Sequence, residues 1–315
     1  MRTIQQLAVR TMLAASLLAP FAAKAEVAIS VRIGPPALPV YTQPPCPVDG
    51  YLWTPGYWAW GPGGYYWVPG VWVAPPRAGV LWTPGYWEFV GGLYTWRPGY
   101  WGPHVGFYGG VNYGFGYWGT GFYGGRWEGN AFRYNTAVVA VNTTVVRNVY
   151  VDRTVVRETV VTRPSFNGAG GVAARPTVQE QSFARENHFQ ATANQVSHEH
   201  MASQDRSFLV SQNHGAPASP AMDRVDGRRF NQQGRIAQGV QSGQLTPRET
   251  SNLEHREASV NREIHNDRKA NGGTLTPQER QQVNERQNKI SKSIYEDKHN
   301  NAKERPAEHR REQKQ

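Results

Sequence analysis

Two hydrophobic patterns divide the chain. In residues 51–134, tryptophans flank a Pro-Gly step every 14 or 15 residues. In residues 221–300, isolated aliphatic residues recur at spacings of 7 and 4, which place them on one stripe of a helix. Residues 165–220, in between, are polar and show little periodicity. The pattern predicts a mainly β repeat domain, a disordered linker and a C-terminal α-helical segment.

The first pattern is a tandem motif, W-x-P-G-x-W, whose first and third copies are 29 residues apart, as are its second and fourth. The array is therefore a duplicated pair, and such self-similarity identifies a repeat architecture. The four copies are Trp53-Thr-Pro55-Gly56-Tyr-Trp58, Trp67-Val-Pro69-Gly70-Val-Trp72, Trp82-Thr-Pro84-Gly85-Tyr-Trp87 and Trp96-Arg-Pro98-Gly99-Tyr-Trp101.

Each motif has a local interpretation as a chain reversal. Pro followed by Gly suits the central positions of a type II turn, and a two-residue loop there would bring Trp53 opposite Trp58. A type II turn matches strand twist poorly, so an open corner is the alternative. The spacers Gly61-Pro-Gly-Gly64 and Val90-Gly-Gly-Leu93 contain glycines of the kind found in β-hairpin turns. A turn at the second spacer would place Trp87 opposite Trp96. The expected result is an aromatic, Gly-rich meander of very short strands.

Aromatic residues dominate this region, with 28 Trp, Tyr and Phe among its 84 residues. Two interpretations stay open. The rings form the core, or some remain exposed as platforms for sugar faces or cationic groups. Nucleic acid is not expected as a partner, since the region has four arginines against two glutamates.

The motif resembles the WXXGXW (YXWGXW) repeat of exported bacterial proteins of unknown function. The lead-in Pro44-Pro-Cys46-Pro-Val-Asp-Gly-Tyr-Leu-Trp53 and the segment Gly102-Pro-His-Val-Gly-Phe-Tyr-Gly-Gly-Val-Asn-Tyr113 are also similar to that family. The resemblance covers residues 44–134 and, less strongly, the Val-rich part after them. It implies export from a bacterial cell, and it brings no activity, cofactor or catalytic residue.

The N-terminus has the form of a secretory signal peptide, residues 1–25. Arg2 and Arg10 precede an apolar run of about 13 residues, and Ala23-Lys-Ala25 fits the cleavage rule. That run is too short for a bilayer span, and no later segment is long and apolar enough. We therefore expect a periplasmic, outer-membrane-associated or extracellular protein. Cys46, the one cysteine, lies between two prolines in a Pro-rich lead-in (26–50), where we expect an exposed loop.

Residues 135–220 are interpreted as two segments. Within 135–164, pairs of mostly β-branched apolar residues recur every five positions from residue 140 and predict a strand that is partly buried on both faces. Residues 165–220 are expected to be linker, with a short helix near residues 178–188. The triplet His198-Glu-His200 has no further ligands at zinc-like spacing, so we expect no metal site.

The C-terminal part, residues 221–300, repeats with a period of 30. Thr246 and Thr276 are predicted N-caps, Glu249 and Glu279 complete the capping boxes, and prolines take the first helical position. The apolar stripes are Leu253, Val260 and Ile264 against Val283, Ile290 and Ile294. Three similar helices are expected, followed by a charged tail, 301–315. Residues 221–315 carry 19 Lys and Arg against 14 Asp and Glu. We interpret these charges either as a solvated surface or as a contact for anionic polymers or lipid head groups.

No catalytic motif is present, and we expect neither enzymatic activity nor a cofactor. The residues singled out are the motif tryptophans, prolines and glycines, as structural elements. The leading hypothesis is a structural or interaction protein of the bacterial cell envelope. The alternative is a glycan- or cell-wall-binding module that uses exposed Trp and Tyr rings. Envelope polysaccharide, peptidoglycan and other envelope proteins are the candidate partners, and the oligomeric state is left open.

Overall fold

A computed structural model describes residues 29–143, 146–156 and 163–302. The predicted signal peptide lies outside these ranges, as do most of the charged tail and part of the Val-rich segment. Strands occupy the repeat region and helices the C-terminal part. This confirms the coarse division that the two hydrophobic patterns predict.

The strands are short, two to five residues each, and pair into small sheets. In the described ranges they are β1 (Ser30–Val31), β2 (Leu52–Thr54), β3 (Tyr57–Gly61), β4 (Gly64–Val68), β5 (Val71–Val73), β6 (Leu81–Thr83), β7 (Tyr86–Val90), β8 (Leu93–Arg97), β9 (Tyr100–Gly102), β10 (Asn112–Gly114), β11 (Tyr117–Trp118), β12 (Gly125–Glu128), β13 (Ala131–Asn135), β14 (Val149–Tyr150) and β15 (Phe166–Gly168).

The helices follow in the second half of the chain. They are α1 (Val178–Phe183), α2 (Ala193–Gln204), α3 (Val210–Asn213), α4 (Arg224–Gln241), α5 (Pro247–Ala270) and α6 (Pro277–His299), with a 3₁₀ turn at Arg206–Phe208. The last three are long and pack on one another through a shared aliphatic core. Thr246 and Thr276 each cap a helix and form a capping box with the glutamate three residues later.

The four motifs assemble into two bent hairpins. In the first, β2 and β3 run antiparallel to β5 and β4, so copies one and two pair with each other along their whole length. In the second, β6 and β7 pair in the same way with β9 and β8. The indoles therefore face one another across the hairpins as Trp53 with Trp72, Trp58 with Trp67, Trp82 with Trp101, and Trp87 with Trp96.

The Pro-Gly step is an open corner and not a two-residue turn. Trp53 does not pair with Trp58, because each of them faces a tryptophan of the next motif copy. None of the four motif glycines has the positive φ that a type II turn requires. The reversals lie in the spacers, where Gly91 and Gly92 both have positive φ and Trp87 faces Trp96, as that turn predicts.

The two hairpins pack against each other through motif rings and backbone carbonyls. Tyr57 stacks on Trp96, with ring centroids 5.1 Å apart. The indole nitrogen of Trp87 donates to the carbonyl of Trp58 at 2.8 Å. The hydroxyl of Tyr117 lies between the hairpins, 2.9 Å from the carbonyl oxygen of Trp82 and 3.5 Å from the carbonyl oxygen of Trp53.

Residues 165–220 do not form the free linker that their composition predicts. β15 adds a parallel strand to β7, and the backbones of Trp101 and Phe189 exchange two hydrogen bonds of 2.8 Å. Helix α2 packs on β4 and α4. The segment is held to the repeat region by these backbone hydrogen bonds and by scattered apolar side chains such as Phe166, Phe208 and Leu209, which show no periodicity in the sequence.

The Val-rich segment pairs less than expected. In its described part, only Val149–Tyr150 forms a strand, parallel to β13, and Val141 makes a single bridge with Cys46. Val146 is nonetheless fully buried in the aromatic core. The β-branched pattern thus marks burial only in part, since Val151 and Val156 are exposed, and the strand it predicts over the whole segment is not found in the described residues.

Candidate functional site

The motif indoles are core side chains. Seven of the eight are buried and the eighth, Trp96, is half-buried. Facing pairs touch at centroid distances of 5.0 to 5.4 Å in tilted or edge-to-face arrangements, which suit aromatic quadrupoles. Their ring faces are therefore largely used in packing.

The motif glycines allow the two strands of each hairpin to approach at the corner. A β-carbon on Gly85 would lie 2.5 Å from the ring of Trp96 and 2.8 Å from the backbone nitrogen of Gly99. A β-carbon on Gly99 would meet Trp82 and Gly85 at the same two distances. Each glycine thus lies beneath an indole of the partner strand, where a larger residue does not fit.

Indole N–H groups tie distant segments to the hairpins. Trp58 donates to the carbonyl of Ala37, and Trp72 to that of Pro44, in the lead-in. Trp67 donates to the carbonyl of Pro220 at 2.9 Å, just before α4. Each bond satisfies a polar atom that burial would otherwise leave unpaired. The tryptophans therefore hold these distant segments against the hairpins as well as fill the core.

A cavity of about 170 Å³ lies where the corners of the two hairpins meet. The prolines of all four motifs line it, and four rings add to its wall: Tyr57, Trp82, Trp96 and Tyr113. Helix α2 closes one side with Gln195, His198 and Glu199. We call this space the corner cavity. It is the one place where all four motif copies contribute to a concave surface among the cavities described.

Glu199 supplies the formal charge of the corner cavity. Its carboxylate accepts hydrogen bonds from the hydroxyls of Tyr57 at 3.0 Å and Tyr66 at 3.4 Å. Burial, reinforced by the neighbouring carboxylate, raises the pKa of both phenols well above their usual value, so both remain donors. Two neutral donors hold the carboxylate in place without neutralising it.

His198 is 4 % exposed and has one unsatisfied nitrogen. Its Nε2 lies 2.7 Å from the carbonyl oxygen of Pro69, which only accepts, so Nε2 carries the proton. Burial lowers the pKa of the ring, which keeps it neutral and leaves Nδ1 as an acceptor without a partner. His200 is exposed and bonds Gln204, so the His-Glu-His triplet does not converge. In the described residues no group of His, Cys, Asp and Glu is placed to hold a metal ion.

A second, more open cleft of about 160 Å³ is lined by half-buried rings. Tyr41, Phe115 and Trp118 contribute, with Asn112 and Arg163 as polar neighbours. Trp118 also stacks nearly parallel on a tyrosine, at a centroid distance of 5.4 Å. Phe115 has a φ of 52°, a backbone conformation that a bulky residue rarely adopts. We call this the aromatic cleft.

Cys46 is buried and not in an exposed loop. Its thiol lies 3.1 Å from the carbonyl oxygen of Val48, and its backbone N–H donates to Ala140. Burial raises the pKa of the thiol to about 12, so the reactive thiolate does not form near neutral pH. The flanking prolines suggest a loop, but that loop is covered by the Val-rich segment.

Residues 49–73 and 77–102 match the WXXGXW repeat family, as two copies. The chain carries the WXXGXW repeat. Each matched copy covers one bent hairpin, so the family unit contains two W-x-P-G-x-W motifs and not one. The family has no known function. No curated protein and no solved structure matches the chain.

The sequence located the WXXGXW repeat but missed the residues that close its corner cavity. His198 and Glu199 fall in the segment interpreted as linker. Thr192-Ala-Asn-Gln195 is a capping box, and its side-chain and backbone bonds begin α2. That signal was available in the sequence and would have predicted the helix. The contact of the helix with the repeat has no such local signal.

Proposed function

We propose that this WXXGXW repeat protein is a non-enzymatic structural or interaction protein of the bacterial cell envelope. The burial of the motif indoles carries the proposal, because it assigns the repeated residues to folding and not to chemistry. In this view the hairpin pair is a rigid aromatic body whose outer surfaces make contacts with other envelope components.

The carboxylates of the aromatic region support a non-catalytic role. Glu88 is paired with Arg97 at 2.8 Å. Glu128 is held by Arg133 and Arg126, whose hydrogen bonds lower the pKa of its carboxyl. Both carboxylates are thus engaged by arginines, and the lowered pKa of Glu128 is the opposite of what a general acid needs. The deep position of Cys46 likewise argues against a nucleophilic thiol.

The C-terminal helices provide the contact surface in this proposal. Their buried stripe faces the bundle core, and basic side chains outnumber acidic ones in the described residues 221–302, by 14 to 11. Anionic envelope polymers and other envelope proteins are the partners that such a surface suits. No helix in the described residues is long and apolar enough to cross a membrane.

Localisation is the first test. The full chain with a C-terminal tag is expressed in a Gram-negative host, and cytosolic, periplasmic and membrane fractions are separated. We expect the tagged protein in the periplasmic or outer-membrane fraction. The control carries Leu13→Arg and Leu17→Arg, which interrupt the apolar run of the signal, and should remain cytosolic. A cytosolic location of both proteins would contradict the envelope assignment.

The second candidate function is glycan binding at the aromatic cleft. The observation in its favour is that the cleft presents half-buried rings beside polar groups, as sugar sites do. The test is sedimentation of the mature chain with peptidoglycan and with extracellular polysaccharide. Trp118→Ala should abolish co-sedimentation, and Trp60→Ala, a half-buried tryptophan away from the cleft, should not. No enrichment over an unrelated exported protein would exclude this function.

A further inference from the structure

The corner cavity has the chemistry of a small-cation site. Its one charged side chain in the described lining is the carboxylate of Glu199, and the rings around it are electron-rich. Neither lysine nor arginine lines it. We propose that the corner cavity binds a small primary ammonium group, and this goes beyond the structural role proposed above.

Size limits the ligand to a few heavy atoms. The volume of about 170 Å³ is close to that of engineered apolar cavities of about 150 Å³ that accept benzene. A ligand of about six heavy atoms therefore fits, either free or as the end of a longer chain. An amine on a short aliphatic body would place its carbons against the motif prolines.

The walls favour a cation over a neutral ligand. Tyr57, Trp82, Trp96 and Tyr113 make part of its lining aromatic, and aromatic rings attract ammonium groups most strongly when water is excluded. The Glu199 carboxylate adds a full opposite charge, already oriented by two tyrosine hydroxyls. An anionic ligand would meet this carboxylate without a compensating cation.

The unsatisfied Nδ1 of His198 is a hydrogen-bond acceptor, so it favours a ligand that can donate a hydrogen bond. Because Nε2 is committed to the carbonyl of Pro69, the lone pair of Nδ1 is the free polar site of this buried ring. His198 borders the corner cavity and also a wider groove towards α4. A primary ammonium has N–H groups to donate to the Glu199 carboxylate, with others left for an acceptor such as Nδ1, whereas a quaternary ammonium has none.

The test is calorimetric titration of the mature full-length chain with three matched ligands. Cyclopentylammonium carries charge and donors, cyclopentanol carries a donor without charge, and tetramethylammonium carries charge without a donor. We expect cyclopentylammonium to bind about tenfold or more tightly than either of the others. Equal affinity of cyclopentanol, or no saturable heat with cyclopentylammonium up to about 10 mM, would overturn the proposal.

Two variants test whether the ammonium group binds beside Glu199. Glu199→Gln keeps an acceptor for the tyrosine hydroxyls and removes the charge, so the preference for cyclopentylammonium should disappear. Glu186→Gln, a surface carboxylate paired with His104, should leave the preference unchanged. If both variants bind alike, the ammonium lies elsewhere and the assignment is wrong. The ligand comparison on the unaltered chain decides the proposal even if Glu199→Gln does not fold.

Discussion

Gly85→Ala tests whether the motif glycine serves close approach at the corner. The new methyl group would meet the Trp96 ring at 2.5 Å and two backbone atoms, Arg97 O and Gly99 N, at 2.8 Å. All three distances are shorter than real Cβ contacts, and two belong to the backbone of the partner strand. The hairpin must open at its corner to accept the methyl.

The cost follows from overpacking. Inserting a methyl into a well-packed core destabilises by about 1–3 kcal/mol, and more where the backbone must move. Because the neighbours of Gly85 are backbone and a pinned indole, we expect the upper end, about 3 kcal/mol. With a urea m value of about 3 kcal/mol per molar, the unfolding midpoint falls by about 1 M.

The assay is urea unfolding followed by tryptophan fluorescence, which reports on the repeat region because all 11 tryptophans lie there. Gly63→Ala is the matched control. The three atoms nearest to its β-carbon all belong to the side chain of Leu209, whose flexible end can shift, so a change below about 1 kcal/mol is expected. If Gly85→Ala and Gly63→Ala have the same midpoint, close approach is not the reason for the motif glycine.

Three further predictions concern burial and titration. Cys46 should react with a thiol reagent only on unfolding, because its raised pKa and its burial prevent attack; rapid labelling of the native chain would contradict this. Iodide should quench only a minor part of the fluorescence, since most indoles are buried, and quenching of the major part would place them at the surface. Burial raises the pKa of Glu257 to about 7. The folded state therefore holds this proton more tightly than the unfolded state, and stability is lost as pH rises through about 7, by on the order of 2 kcal/mol. Glu257→Gln should remove this loss when helix CD is followed in urea at about pH 5 and about pH 8; an unchanged pH dependence would be inconsistent with it.

The features that the sequence predicts well are local. The turn at Val90–Leu93 depends on two glycines with positive φ, and the caps at Thr246 and Thr276 depend on residues three positions apart. Each is decided by neighbours along the chain. A short window of sequence therefore contains the whole physical reason for them.

The features that the sequence does not predict depend on distant partners. Pro55-Gly56 looks like a turn because that is the local preference of the dipeptide. The conformation is instead decided by Gly70, whose backbone nitrogen would lie 2.9 Å from a β-carbon on Gly56. Likewise, the orientation of Glu199 is set by tyrosines more than a hundred residues earlier.

The pairing of motif copies limits how such an array can lengthen. A W-x-P-G-x-W motif finds its indole partners on the next copy, and the corner glycines of the two copies need each other. A single added motif would leave two tryptophans and one glycine corner without counterparts. Gene duplication can thus extend this protein only in whole hairpins of 29 residues, and the number of motifs stays even.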